Sequence, residues 1–149
     1  MSKDYTCEAD YSWIEDKDGE VSFPNGTTLP VSIPGHFGGD DSKLDPEELL
    51  AGAVNSCISV TMLGVLRRAG APIDAVVDYQ ARAEGSYGKG ESGLEFKEFV
   101  VVAEFVVEDE SAAGELRTKI ESNEIECLVT ETLNVPTRLE TTVQIQEQV

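Results

Sequence analysis

A chain of 149 residues is long enough for one domain with a sizeable core, and a 40% hydrophobic content excludes a disordered polymer. Its 29 acidic against 11 basic residues give a formal net charge of −18. That balance excludes nucleic acid and anionic membrane surfaces as partners, because phosphate contacts need clustered Lys and Arg.

The first stretch, residues 4–14, alternates loosely with Tyr5, Cys7, Ala9, Tyr11 and Trp13 on one side, which predicts a strand with Cys7 in the core. Asp16-Lys17-Asp18-Gly19 reads as a turn, Val21–Phe23 as a short strand, and Pro24-Asn25-Gly26 as a second turn. Thr27–Ile33 predicts a third strand, and residues 34–42 a Gly-rich loop that holds His36, the single histidine. Asp45 is an N-cap candidate, with Pro46 at the first helical position and Glu47 and Glu48 in the positive first turn. The helix that follows is expected to run to about Ala69 and stop at Gly70-Ala71-Pro72. Its apolar positions go nearly all the way round, so it is buried on most sides or packs against a partner.

Val76–Tyr87 and Leu94–Val107 predict two long strands joined by the Gly-rich hairpin loop 85–93, which lacks the Lys-Ser/Thr ending of a phosphate loop. Ser111–Glu124 reads as a polar helix and Ile125–Leu133 as a second helical piece, carrying Cys127. A last strand, Arg138–Gln146, follows Pro136. The order β-β-β-α-β-β-α-β in one domain spanning 1–149 gives an α+β class with a mostly antiparallel sheet.

The acidic residues are scattered, which predicts a solvated acidic surface that repels itself at low salt. A salt-accumulating cell fits that pattern, with an ordinary acidic mesophile protein as the alternative. Met1-Ser2-Lys3-Asp4-Tyr5 shows no apolar signal segment, and no run reaches the ~18 apolar residues of a membrane span, so the chain reads as cytoplasmic. Three cysteines with no CxxC pair and one histidine argue against a zinc site, and no cofactor is expected.

Cys57 in the long helix and Cys127 point to redox chemistry more than to scaffolding. A free thiol has a pKa near 8.5, so a nucleophilic thiolate needs a positive neighbour. Ten residues separate Glu47 from Cys57, about 15 Å along a straight helix. Either the helix breaks between them or Glu47 serves the Cys57 of a second subunit.

Pro46-Glu47-Glu48-Leu49-Leu50-Ala51 with Cys57 ten positions after Glu47, the second cysteine, and the element order together resemble the OsmC/Ohr family of thiol-dependent peroxidases. The resemblance implies an intertwined homodimer in which Cys57 is oxidised by an organic hydroperoxide, with hydrogen peroxide a further candidate. It implies a sulfenic acid on Cys57, resolved by Cys127 as a disulfide and reset by a dithiol reductant or lipoyl-type protein. Leu128 stands where the family usually carries a proline after the second cysteine. Lys17, in the Asp16-Lys17-Asp18-Gly19 loop, stands where Ohr-type members carry an arginine, and would supply the charge that Glu47 orients. The alternative is a non-catalytic OsmC-like domain that binds a small apolar ligand or senses redox state.

Overall fold

The computed structural model describes residues 3–147 and divides into two compact units, one up to Leu50 and one from Ala51 onward. In the first unit, β1 (Asp10–Glu15), β2 (Asp18–Ser22) and β3 (Thr28–Val31) form an antiparallel meander in that order. Glu15 pairs with Asp18 across the tight Asp16-Lys17 turn, and Asp16 takes the left-handed conformation (φ 47°) that Asp tolerates there. The turn is tied down twice. The Trp13 indole donates to the Asp16 carbonyl at 2.9 Å, and Lys43 pairs with Asp18. Cys7 precedes β1 and is exposed, so its expected core role is corrected: the strand begins only at Asp10, and all six of its residues are exposed.

The long helix α1 (Pro46–Arg68) is unbroken. Asp45 and Glu48 cap it reciprocally: the Glu48 amide donates to Asp45 Oδ1 at 2.7 Å, and the Asp45 amide to Glu48 Oε1 at 3.3 Å. At the other end Gly70 (φ 80°) donates to Arg67 and Ala71 donates to Leu66, the paired bonds of a left-handed glycine cap. By length and composition α1 is long and apolar enough to cross a membrane, although Asn55, Ser56, Ser59 and Thr61 interrupt its apolar stretches. Its buried stripe, Val54, Ile58, Met62 and Leu66, repeats every four residues, the pattern of a helix lying on a core.

The second unit holds a three-stranded sheet in the order β4-β5-β6, with β4 (Val76–Lys89) antiparallel to β5 (Leu94–Val107). The last strand, β6 (Thr137–Ile145), runs parallel to β5, Phe99 pairing with Thr137 and Val107 with Ile145. This is the one parallel ladder among the described strands, and the rest are antiparallel as expected. The chain leaves β5 and returns through helices to the same sheet, which makes a crossover and therefore a parallel neighbour. β5 alternates cleanly, with Phe99, Val101, Ala103, Phe105 and Val107 fully buried on one face. Opposite Phe99 sits Gly85, where a Cβ would fall 2.6 Å from the Phe99 ring and 2.9 Å from the Phe96 ring.

On the buried face, Met62 and Leu66 of α1 join Ala103, Phe105 and Val107 with Ala112, Ala113 and Leu116 of α2 (Glu110–Ser122) in one core cluster. Asp109 starts α2 by accepting the Ala112 amide at 2.9 Å. The second helical piece is separate from α2 and shorter than expected. Asn123 leaves it with extended backbone, and Cys127 becomes the N-cap residue of a separate short helix, α3 (Leu128–Thr132).

Candidate active site

Cys57 lies mid-way along α1, one residue before the buried Ile58, and is half-buried. Cys127 is buried, with only 4% of its surface exposed. The fold brings the two together. Each thiol is within hydrogen-bonding reach of the other, and the Val129 amide points at both sulfurs. Each sulfur also has its own threonine: Thr61, one turn further along α1, for Cys57, and Thr130 for Cys127, with Sγ to Oγ1 at 3.0 Å. Both cysteines are free thiols in this structure.

The threonines were not singled out from the sequence. Their signal was spacing. Cys57 and Thr61 stand at i and i+4 on one helix face, and Cys127 and Thr130 at N-cap and N3 of α3. The Thr130 hydroxyl also reaches back to the Cys127 carbonyl at 3.2 Å, as an N3 side chain folding over its own cap does.

The electrostatics split the pair. Burial first, then the neighbouring Cys127, pushes the Cys57 thiol above its ordinary range, against the opposing bonds from the Val129 amide and Thr61. Burial also works on Cys127, but there the Thr130 hydroxyl, the Cys57 thiol and the Thr130 and Val129 amides together bring it below its ordinary range. None of these groups is a cation. The donors around the pair are hydroxyls, a thiol and backbone amides.

A cavity of about 220 Å³ opens beside the pair, lined by Ile58, Ile125, Thr130, Glu131, Val135, Thr137 and Leu139. Asn55, two residues before Cys57, donates to the Ala81 carbonyl at 3.0 Å, and Ser59 bonds the Tyr79 hydroxyl at 2.8 Å, which fixes this stretch of α1 against β4. Among the described residues no group of three or more His, Cys, Asp or Glu is placed to hold a metal.

In the first unit, Glu47 keeps one buried carboxylate oxygen, Oε2, with no hydrogen-bond partner. Lys17 is exposed and donates to the Gly38 carbonyl at 3.3 Å. His36 lies against Phe37, ring centroids 4.2 Å apart.

The model of the OsmC-like protein family matches residues 39–142, a span that includes Glu47, Cys57 and Cys127. The chain belongs to that family. Among solved structures, an OsmC-like protein of unknown function from Vibrio cholerae is 17% identical with a TM-score of 0.72, covering 95% of this chain and all 100% of that one. An organic hydroperoxide resistance protein from Elizabethkingia anophelis is 21% identical (TM-score 0.69, 98% of this chain and 100% of that one). The organic hydroperoxide resistance protein OhrB of Bacillus subtilis is 19% identical (TM-score 0.62, 93% and 98%). At these identities the likeness establishes the OsmC-like fold. No curated protein matches the chain.

Proposed function

We propose that this OsmC-like protein is a thiol-dependent peroxidase that reduces organic hydroperoxides in the cytoplasm. One observation carries the reading: Cys57 and Cys127, from different helices, face each other with donors on both sulfurs. Cys57 is the more open of the two and is the sulfur that meets the peroxide. Attack on the distal oxygen leaves a sulfenic acid on Cys57 and releases an alcohol. Cys127 then displaces hydroxide to form a disulfide, and a dithiol reductant or lipoyl-type protein restores both thiols. The cavity of about 220 Å³ beside Ile58 and Thr130 has room for the organic substituent of a hydroperoxide.

The reading includes a homodimer. Val60 of α1 is 71% exposed and Leu128 of α3 is 80% exposed, apolar surface that a second copy would cover. Within it Glu47, with its unpartnered buried oxygen, is the carboxylate that orients a cation at the site, and Lys17 is that cation. The raised Cys57 thiol favours the competing reading, a non-catalytic domain that binds an apolar ligand or senses redox state.

Consumption of cumene hydroperoxide by purified protein with excess dithiothreitol separates the two. The peroxidase reading expects turnover that is lost in Cys57→Ser. In Cys127→Ser it expects oxygen added to Cys57 up to the sulfinic acid, read by mass spectrometry. Parent protein that consumes no peroxide, with Cys57 unmodified, sinks it.

A further inference from the structure

We propose that the cavity beside the thiol pair selects against anionic substrates, with Glu131 as the residue that sets this preference. The substrate class is a neutral or cationic hydroperoxide whose substituent carries hydrogen-bond donors. The proposal deepens the peroxidase reading and rests on it.

The cavity wall is the starting point. It adjoins both sulfurs: Ile58 follows Cys57 directly, and the Thr130 hydroxyl lies 3.0 Å from Cys127 Sγ. A peroxide that meets Cys57 therefore places its substituent along this wall. Among the described lining residues, Glu131 alone carries a charge. It is exposed, and no ion pair among the described residues involves it.

No cation offsets that carboxylate from the elements around it. Between Ile125 and Leu139 the chain holds one basic residue, Arg138. Successive side chains of a strand point to opposite faces, so Arg138 is turned away from Thr137 and Leu139, which line the cavity. It is paired there with Glu98 at 3.5 Å and Glu140 at 3.1 Å. On α1 every residue from Leu49 to Leu66 is uncharged, and Arg67 lies about 15 Å along the axis from Cys57.

The remaining polar side chains of the wall have already given their protons. A hydroxyl has one to give. That of Thr137 goes to the Val135 carbonyl at 3.2 Å. The Thr130 hydroxyl is held between the Cys127 carbonyl at 3.2 Å and the Cys127 sulfur, so its proton stays with Cys127 whichever of the two accepts it. The Val129 and Thr130 amides are turned to the sulfurs. What the side chains leave for a ligand is hydroxyl lone pairs and the Glu131 carboxylate, all of them acceptors. A substituent bearing a carboxylate or sulfonate meets no side-chain donor there and faces a like charge. A hydroxyl, amide or ammonium finds partners. In a cavity of about 220 Å³ a charged substituent comes within roughly 7 Å of Glu131, where repulsion in a largely aqueous medium slows an anion about three- to tenfold.

The test compares iodoacetamide, which is neutral, with iodoacetate, which is an anion, as alkylating agents of the reduced protein at one pH. Peptide mass spectrometry reads Cys57, and the exposed Cys7 of the same chain supplies the reference for overall charge. The iodoacetate to iodoacetamide rate ratio at Cys57, divided by that at Cys7, should rise about threefold or more in Glu131→Gln at 0.1 M salt. The rise should shrink at 1 M salt, where the Debye length falls to ~3 Å. Glu121→Gln, on α2 and outside the cavity wall, should leave the ratio unchanged. By kcat/KM, cumene hydroperoxide should be preferred to its para-carboxylate, and Glu131→Gln should cut that preference about threefold or more. An unchanged ratio in Glu131→Gln, an equal rise in Glu121→Gln, or a peroxide preference that survives Glu131→Gln intact overturns the proposal. If the parent consumes neither peroxide, the peroxidase reading falls, and the alkylation ratio alone decides whether Glu131 screens what reaches Cys57.

Discussion

Leu116 is the one large side chain of α2 that is fully buried, with Ile120 packed beside it at the edge of the core. The helix buries Ala112, Ala113 and Leu116, and Leu116 has no exposed surface. Replacing it with Ala removes buried methyl groups and leaves a hole whose size depends on what moves in. Little is free to move. The facing wall is Ala103, Phe105 and Val107 on β5, which is pinned between β4 and β6, and Arg117 holds α2 to the Val143 carbonyl of β6 at 2.9 Å. Core Leu→Ala changes cost about 2.7–5.0 kcal/mol, more where the cavity persists. For Leu116→Ala we expect about 3–4 kcal/mol, or a fall of roughly 10 °C in Tm for a chain of this length. Urea unfolding at matched protein and salt concentration should show a lower midpoint with an unchanged m-value. A loss under about 1 kcal/mol at constant m would mean that α2 is not held by this contact and that the core cluster is drawn wrongly.

Tyr79→Phe keeps the ring that packs on Phe105 at 4.8 Å but removes the bond to Ser59, and should cost about 1 kcal/mol by the same urea assay; an unchanged midpoint would show that Ser59 finds water instead. The Asp18 carboxyl is held below its ordinary value of 3.8, first by the Lys43 hydrogen bond. Because the folded pKa is the lower one, this stabilisation is present above about pH 4 and fades as pH falls through the folded pKa, so the Tm gap between parent and Asp18→Asn should close in acid. A gap that stays constant down to pH 3 would refute the pairing. With a net charge of −18, Tm should rise as salt goes from 0.1 to 1 M and the Debye length shrinks from ~10 to ~3 Å, and a flat Tm would deny the acidic surface any halophilic role.

The elements that bury a regular face were legible as sequence. Leu94–Val107 was read to the residue, because a long run rich in Val and Phe follows Gly93 and ends at Glu108-Asp109. α1 was read within a residue at each end, since Asp45-Pro46 and Gly70 are chemical stop signs. What failed had no face to report. The stretch around Cys7 alternates in composition, yet it lies outside any strand and is exposed, so its pattern recorded no burial. The second helical piece was read from Ile125 but starts only at Leu128, because Ile125 and Glu126 are compatible with a helix and give no sign of the later start. The cysteines themselves were evident. Their donors were not, because a threonine one turn away from a thiol looks like any other surface hydroxyl until the sulfurs meet.

The parallel ladder between β5 and β6 also bears on the order in which the molecule comes together. A hairpin such as β4–β5 zips from its loop, with partners close in sequence at every step. β6 can join only after the whole crossover has been drawn back along β5, a closure whose entropy must be met before any of its contacts form. Cys127 rides on that crossover, whereas Cys57 sits on a helix made of local contacts. The thiol pair is therefore an end product of folding rather than an early one. A chain emerging from synthesis carries its two thiols apart, and brings them together only when the crossover has been drawn back along β5.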